Sequence, residues 1–192
     1  MKTIWVLLGT MTLAGAAAAA ENCTVQVRMS NTATAAPLVL FQAKSTAAAM
    51  FAHIGVNLEF TSSARPLACG KPIEIRFEAG TRAAERPDSL AYAMPYLEGG
   101  ASIHVFVERV AAMVPANRAG VVLGHVLAHE ITHVLQGASR HSEDGVMKAH
   151  WESGDFRAME SRPLPFAPLD VLLLQTAATH KTQGADSLAA AK

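Results

Sequence analysis

Residues 118–147 read RAGVVLGHVLAHEITHVLQGASRHSEDGVM, and the core of that stretch, His129-Glu130-Ile131-Thr132-His133, decides how the rest of the chain is read. Two imidazoles four residues apart fall on one helix face, one turn from each other. At that spacing both can grip a single metal ion. Glu130 sits beside them, placed to take a proton from water at such an ion. The flanks support a helix. Pro115 and Asn117 announce a helix start. The segment from about Arg118 to Gln136 is apolar on most sides, which predicts a central helix. Gly137 is a natural terminator.

Zinc favours four ligands in a tetrahedron, and a catalytic zinc takes three from the protein and leaves water in the fourth place. His129 and His133 supply two of the three. A zinc-bound water has a pKa near 7, so Glu130 would act on it as general base and later hand the proton to a leaving amine. His125 extends the histidine stripe. It would have to reach across two helical turns, about 12 Å, to share an ion with His133, so it is expected to be packed or solvated rather than ligating.

The residues from His129 to Met147 resemble the metzincin clan of zinc peptidases, whose pattern is His-Glu-x-x-His-x-x-Gly-x-x-His followed by a turn carrying a Met beneath the metal. Gly137 matches the glycine that ends the active-site helix. His141 matches the third ligand, and Gly145-Val146-Met147 matches the Met-turn. Ser142, directly after His141, is similar to the matrix metalloproteinase branch. The chain carries one residue more than the pattern between His133 and Gly137, and another between Gly137 and His141. Glu152, Asp155, Glu160 and His150 therefore stay open as alternatives to His141. The resemblance implies one catalytic Zn2+ held by His129, His133 and His141, with Met147 as support. It also implies an α+β zincin-like fold: a twisted, mostly parallel sheet with an antiparallel edge strand, a backing helix, the active-site helix and a C-terminal helix. In that clan the last strand before the active-site helix borders the cleft. By resemblance this is Ser102 to Val107, with Ser102, His104 and Phe106 as possible substrate contacts.

Elsewhere the periodicity predicts strands at Thr24 to Met29, Val56 to Phe60, Pro72 to Glu78 and Ser102 to Val107. Pro37 opens a helix to about His53, with Leu38, Phe41, Ala48, Phe51 and Ala52 on its inner face. Ala79 to Glu98 and Ala138 to Arg162 read as irregular, broken by Pro and Gly. Ala167 to Ala178 reads as a last helix with Leu169, Leu172 and Leu173 inward, and residues 181–192 as a disordered tail. A mixed sheet on two long helices is the simplest architecture.

Lys2, the apolar run Ile4 to Leu13 and Ala18-Ala19-Ala20 form the pattern of a signal peptide over residues 1–20. A secreted or periplasmic product follows, with no stable membrane insertion after cleavage. About 170 residues remain for one metallopeptidase domain, residues 21–180. In an oxidising compartment Cys23 and Cys69 would pair. Sixteen basic residues balance sixteen acidic ones, which gives no sign of a nucleic-acid partner. The expected function is a secreted zinc-dependent endopeptidase acting on a peptide or protein substrate. Its rival is a non-catalytic secreted zinc-containing module that binds peptide, and hydrolysis of a non-peptide amide is a third option.

Overall fold

The computed structural model describes residues 24–61, 71–78, 89–95 and 100–189. The signal-peptide pattern and both cysteines, Cys23 and Cys69, lie outside the described residues. The described chain is a mixed α/β structure with one five-stranded sheet. The strands are β1 (Val25–Ser30), β2 (Leu58–Thr61), β3 (Ile73–Glu78), β4 (Ala91–Met94) and β5 (Ser102–Phe106). The helices are α1 (Pro37–His53), α2 (Val107–Met113), α3 (Ala119–Gln136), α4 (Ser153–Ser161) and α5 (Pro168–Ala189).

The sheet order is β2-β1-β3-β5-β4. The first four of these run parallel, and β4 lies antiparallel to β5 at one edge. Alternation places Val25, Val27, Ile73, Ile75, Phe77, Ile103 and Val105 in the core, on the face against which the helices pack. α1 makes the return from β1 to its parallel neighbour β2. Its Pro37 occupies the first turn, where a missing N–H costs nothing.

α1 and α3 lie very close together, and two glycines make that possible. A Cβ at Gly124 would stand 2.6 Å from the Cβ of Thr46 and 2.9 Å from the Ala43 carbonyl oxygen. One turn earlier, a Cβ at Gly120 would collide with the side chain of Gln42. The tight approach seats α3 in the middle of the molecule and buries His125, Glu130 and His133 along with its apolar residues. Gly137 closes the helix in the left-handed conformation, φ 61°, and its N–H returns to the His133 carbonyl.

Several expectations need correction. Ser102 to Val107 is not the edge strand. β5 is interior, flanked by β3 and β4, and all five of its residues are buried. Period-two alternation identifies a strand and its faces but not its neighbours, and the short β4 was hidden in a stretch rich in Pro and Gly. Val107 opens α2 instead of ending the strand. α4, too, lies within a segment that composition marked as irregular. On α1 the buried residues are Ala43, Ala47, Met50 and Phe51, while Leu38 and Phe41 are exposed. On α5 the buried residues are Asp170 and Leu174, while Leu169, Leu172 and Leu173 face outward. α5 continues to Ala189 through most of the segment expected to be disordered.

Candidate metal centre

α3 presents His129 and His133 one turn apart, as their spacing requires, and the chain then doubles back through Gly137 to bring His141 over them. Among the described residues, His129, His133 and His141 form a group of three able to hold one metal ion, with their ligating nitrogens within 4.8 Å of one another. The ring centroids lie 4.7 Å (His129–His133), 5.3 Å (His129–His141) and 4.9 Å (His133–His141) apart.

Hydrogen bonds fix which nitrogen faces the centre. His129 Nδ1 lies 2.9 Å from the Val146 carbonyl oxygen, and His133 Nδ1 lies 2.9 Å from the Ala138 carbonyl oxygen. A carbonyl can only accept, so each Nδ1 carries the proton and each Nε2 keeps its lone pair. Those two Nε2 atoms face each other at 3.0 Å. Two lone pairs at that distance repel unless a cation lies between them. Tetrahedral ligands each about 2.0–2.1 Å from zinc stand about 3.3 Å apart, so the pair is already close to the spacing that such an ion needs. A donor set of three imidazoles suits a divalent transition metal such as zinc, copper, iron or nickel.

The surroundings keep these rings neutral. Burial pulls the His129 pKa down to about 4, against a smaller upward effect from the Val146 carbonyl, and His133 and His141 add repulsion. Burial also lowers His133 and His141, the latter helped by His150 and Arg140. At neutral pH all three nitrogens are therefore available to a metal.

The loop after His141 touches the cluster through the Val146 carbonyl, which holds His129. Ser142 N–H donates to the Met147 carbonyl at 2.8 Å, and Val146 and Met147 are completely buried. The Val146 carbonyl accepts from Trp151 Nε1 at 3.2 Å as well as from His129. Trp151 stands edge-on to His129, 5.9 Å between centroids, so it packs against the site and lines the cleft at once. The acidic alternatives are engaged elsewhere. Glu152 and Asp155 cap α4 reciprocally, Asp155 also pairs with Lys148 at 2.7 Å, and Glu160 pairs with Arg118 at 2.5 Å.

A cleft of about 610 Å³ opens over His129, Glu130, His133 and His141. One wall is β4, with Ser89 to Ala93 and Pro95; the other runs from Lys148 to Trp151 and includes Phe156. Ser102, His104 and Phe106 do not line it. They alternate with the core residues Ile103 and Val105; His104 Nδ1 meets Glu78 Oε1 at 2.6 Å, the His104 ring stacks on Tyr92 at 4.8 Å, and the Arg109 guanidinium lies 4.3 Å over the Phe106 ring. The strand beside the site is thus β4. Its only sequence signal was four residues, Ala91 to Met94, too short to stand out between breakers.

His125 is fully buried. Its Nδ1 donates to the Val121 carbonyl at 2.8 Å, and its Nε2 accepts from Leu164 N–H at 3.0 Å. It ties α3 to the segment leading into α5 and takes no part in the metal group. Burial lowers its pKa below the ordinary 6.5, and a proton on Nε2 would break the bond to Leu164. As pH falls through 6.5 the unfolded chain binds this proton before the folded one does, so stability is complete above that pH and declines below it. His129, His133 and His141 act in the same direction. In metal-free protein the urea midpoint is expected to fall from pH 7 to pH 5, and His125→Gln is expected to make that decline shallower. An equal pH slope in parent and variant would remove His125 from the account.

In comparisons with models of protein families, with curated proteins and with solved structures, the chain matches none.

Proposed function

We propose that this chain is a secreted zinc-dependent endopeptidase of the metzincin kind. The observation that carries the reading is the convergence of two imidazole lone pairs at 3.0 Å, with a third imidazole nitrogen within 4.8 Å. Glu130 lines the same cleft, and a sheet edge forms its wall. Bound by His129, His133 and His141, zinc would supply Lewis acidity, bringing the pKa of water at its open position to about 7 and polarising a peptide carbonyl.

The chain's own residues do the rest. Glu130 takes the proton from the attacking water and returns it to the departing amine nitrogen. The Val146 and Ala138 carbonyls hold His129 and His133 in the ligating tautomer. β4 pairs on one side with β5, and its other side borders the cleft. An extended substrate can add there as a further strand, held by main-chain hydrogen bonds. The leader pattern in residues 1–20 supports export, and no helix among the described residues is long and apolar enough to cross a membrane.

Zinc content and peptide turnover measured on one purified sample test the proposal. The expected result is one zinc per chain, cleavage within a mixed peptide library, loss of cleavage with a chelator and recovery on adding zinc. Full zinc occupancy without cleavage of any peptide would favour the non-catalytic binding module. No zinc uptake at all would end both readings.

A further inference from the structure

His129 and His133 are fixed twice, by the helix that carries them and by the carbonyls that hold their Nδ1 atoms. His141 has neither support. It is exposed, it lies on a loop, and among the described residues no hydrogen bond holds its ring. Its position depends on the backbone from which it projects.

One carboxylate organises that backbone. Asp170, in the first turn of α5, is completely buried. Its Oδ1 accepts from Gln136 Nε2 at 3.2 Å and from Arg140 Nη2, and its Oδ2 accepts from Ser142 Oγ at 2.7 Å. Arg140 Nη1 donates in turn to Ser142 Oγ at 3.3 Å and to the His141 carbonyl at 3.5 Å. Asp170 therefore grips the end of α3 and the two residues flanking His141. The return from His133 to His141 carries one residue more on each side of Gly137 than the metzincin pattern. Gln136 and Arg140 lie in those two lengthened halves.

We infer that Asp170 is a positioning residue for the third metal ligand: by holding Gln136, Arg140 and Ser142 together it sets the backbone from which His141 reaches the ion. The inference rests on the zinc reading above and goes beyond it. A carboxylate beside Leu174 on the inward face of a helix has no packing reason to be buried. Its burial turns Leu169, Leu172 and Leu173 outward, a cost that the grip on the loop explains.

The test is a double-mutant cycle on the full chain, with zinc affinity read by chelator competition and coordination read from the visible spectrum of the cobalt-loaded protein. Asp170→Asn is expected to weaken zinc by about 10–100-fold and to move the cobalt spectrum toward that of His141→Ala. In the His141→Ala background the same change is expected to alter affinity by less than about twofold, because the ligand it positions is gone. Ser142→Ala, which removes one partner and leaves the carboxylate paired with Arg140, is expected to weaken zinc by a smaller factor, with the same loss of effect in the His141→Ala background. It decides the matter should Asp170→Asn fail to fold. Zinc affinity unchanged in the variants, or weakened equally in both backgrounds, overturns the positioning role and leaves the zinc reading intact. Failure of the parent chain to take zinc ends both, and is recognised because it appears before any substitution.

Discussion

Glu130→Gln is expected to keep the fold and the zinc content of the parent while lowering kcat/KM on peptide by about 10³-fold. Glutamine has nearly the same shape, so the mostly buried position on α3, 8 % exposed, stays filled. The three clustered imidazoles are untouched. What disappears is a carboxylate able to accept a proton from the attacking water and deliver it to the leaving nitrogen. The loss should fall on kcat with little change in KM, since in the proposed reaction the β4 edge and the cleft walls, not Glu130, would hold the substrate. Zinc analysis and steady-state kinetics on the same preparation check it. Turnover within tenfold of the parent, at full zinc occupancy, would mean that Glu130 is not the base.

Gly145→Ala is expected to destabilise the metal-free protein by about 2–4 kcal/mol and to weaken zinc by tenfold or more. Gly145 has φ +78°, where an alanine is strained. An added Cβ would also stand 2.2 Å from the Pro165 carbonyl oxygen. That oxygen is backbone and is held by the Val146 N–H at 2.9 Å, so it cannot swing aside as a side-chain tip would. The neighbouring Val146 carbonyl orients His129, so a shifted turn disturbs the histidine cluster as well as the core. Gly154→Ala is the control. Its Cβ meets nothing within 4 Å and it lies in α4, so stability should stay level or rise by about 0.5 kcal/mol. Urea unfolding of the two variants against the parent decides. A Gly145→Ala protein within about 0.5 kcal/mol of the parent would show that the 145–147 turn is looser than its contacts imply.

α3 was legible because its start signals, its long apolar run and its terminating glycine are all local. The same holds for the pairing of His129 with His133, which depends only on helical pitch. The spacing to His141 left several candidate ligands open, and the choice among them required knowing where the loop returns and that Glu152, Asp155 and Glu160 are committed to other partners. α4 did leave a trace: Glu152 and Asp155 form its capping box, a signal that the surrounding charges and glycines obscured. The carbonyls of Val146 and Ala138, which set the tautomers of His129 and His133, leave no trace at all, because every residue has a carbonyl.

The inward face of α5 is the clearest case of tertiary override. Leucines at 169, 172 and 173 predict an apolar inner stripe, yet the helix is turned so that Asp170 points inward and meets Arg140, Ser142 and Gln136. Hydrophobicity ranks faces by composition alone. It has no term for a distant arginine that makes a carboxylate welcome inside.

By itself the sequence determined the helix that carries the site, the two histidines that share its face and the acid beside them, and the alternating strands beneath, since each follows from pitch, pleat or a local terminator. Only the tertiary structure decided that β4 and not β5 is the sheet edge, that His141 closes on His129 and His133, and that Asp170 is buried behind it. Those outcomes depend on which segments meet after the chain has folded back, and contacts between residues far apart in sequence are set by the packing of whole elements, which no short window of residues contains.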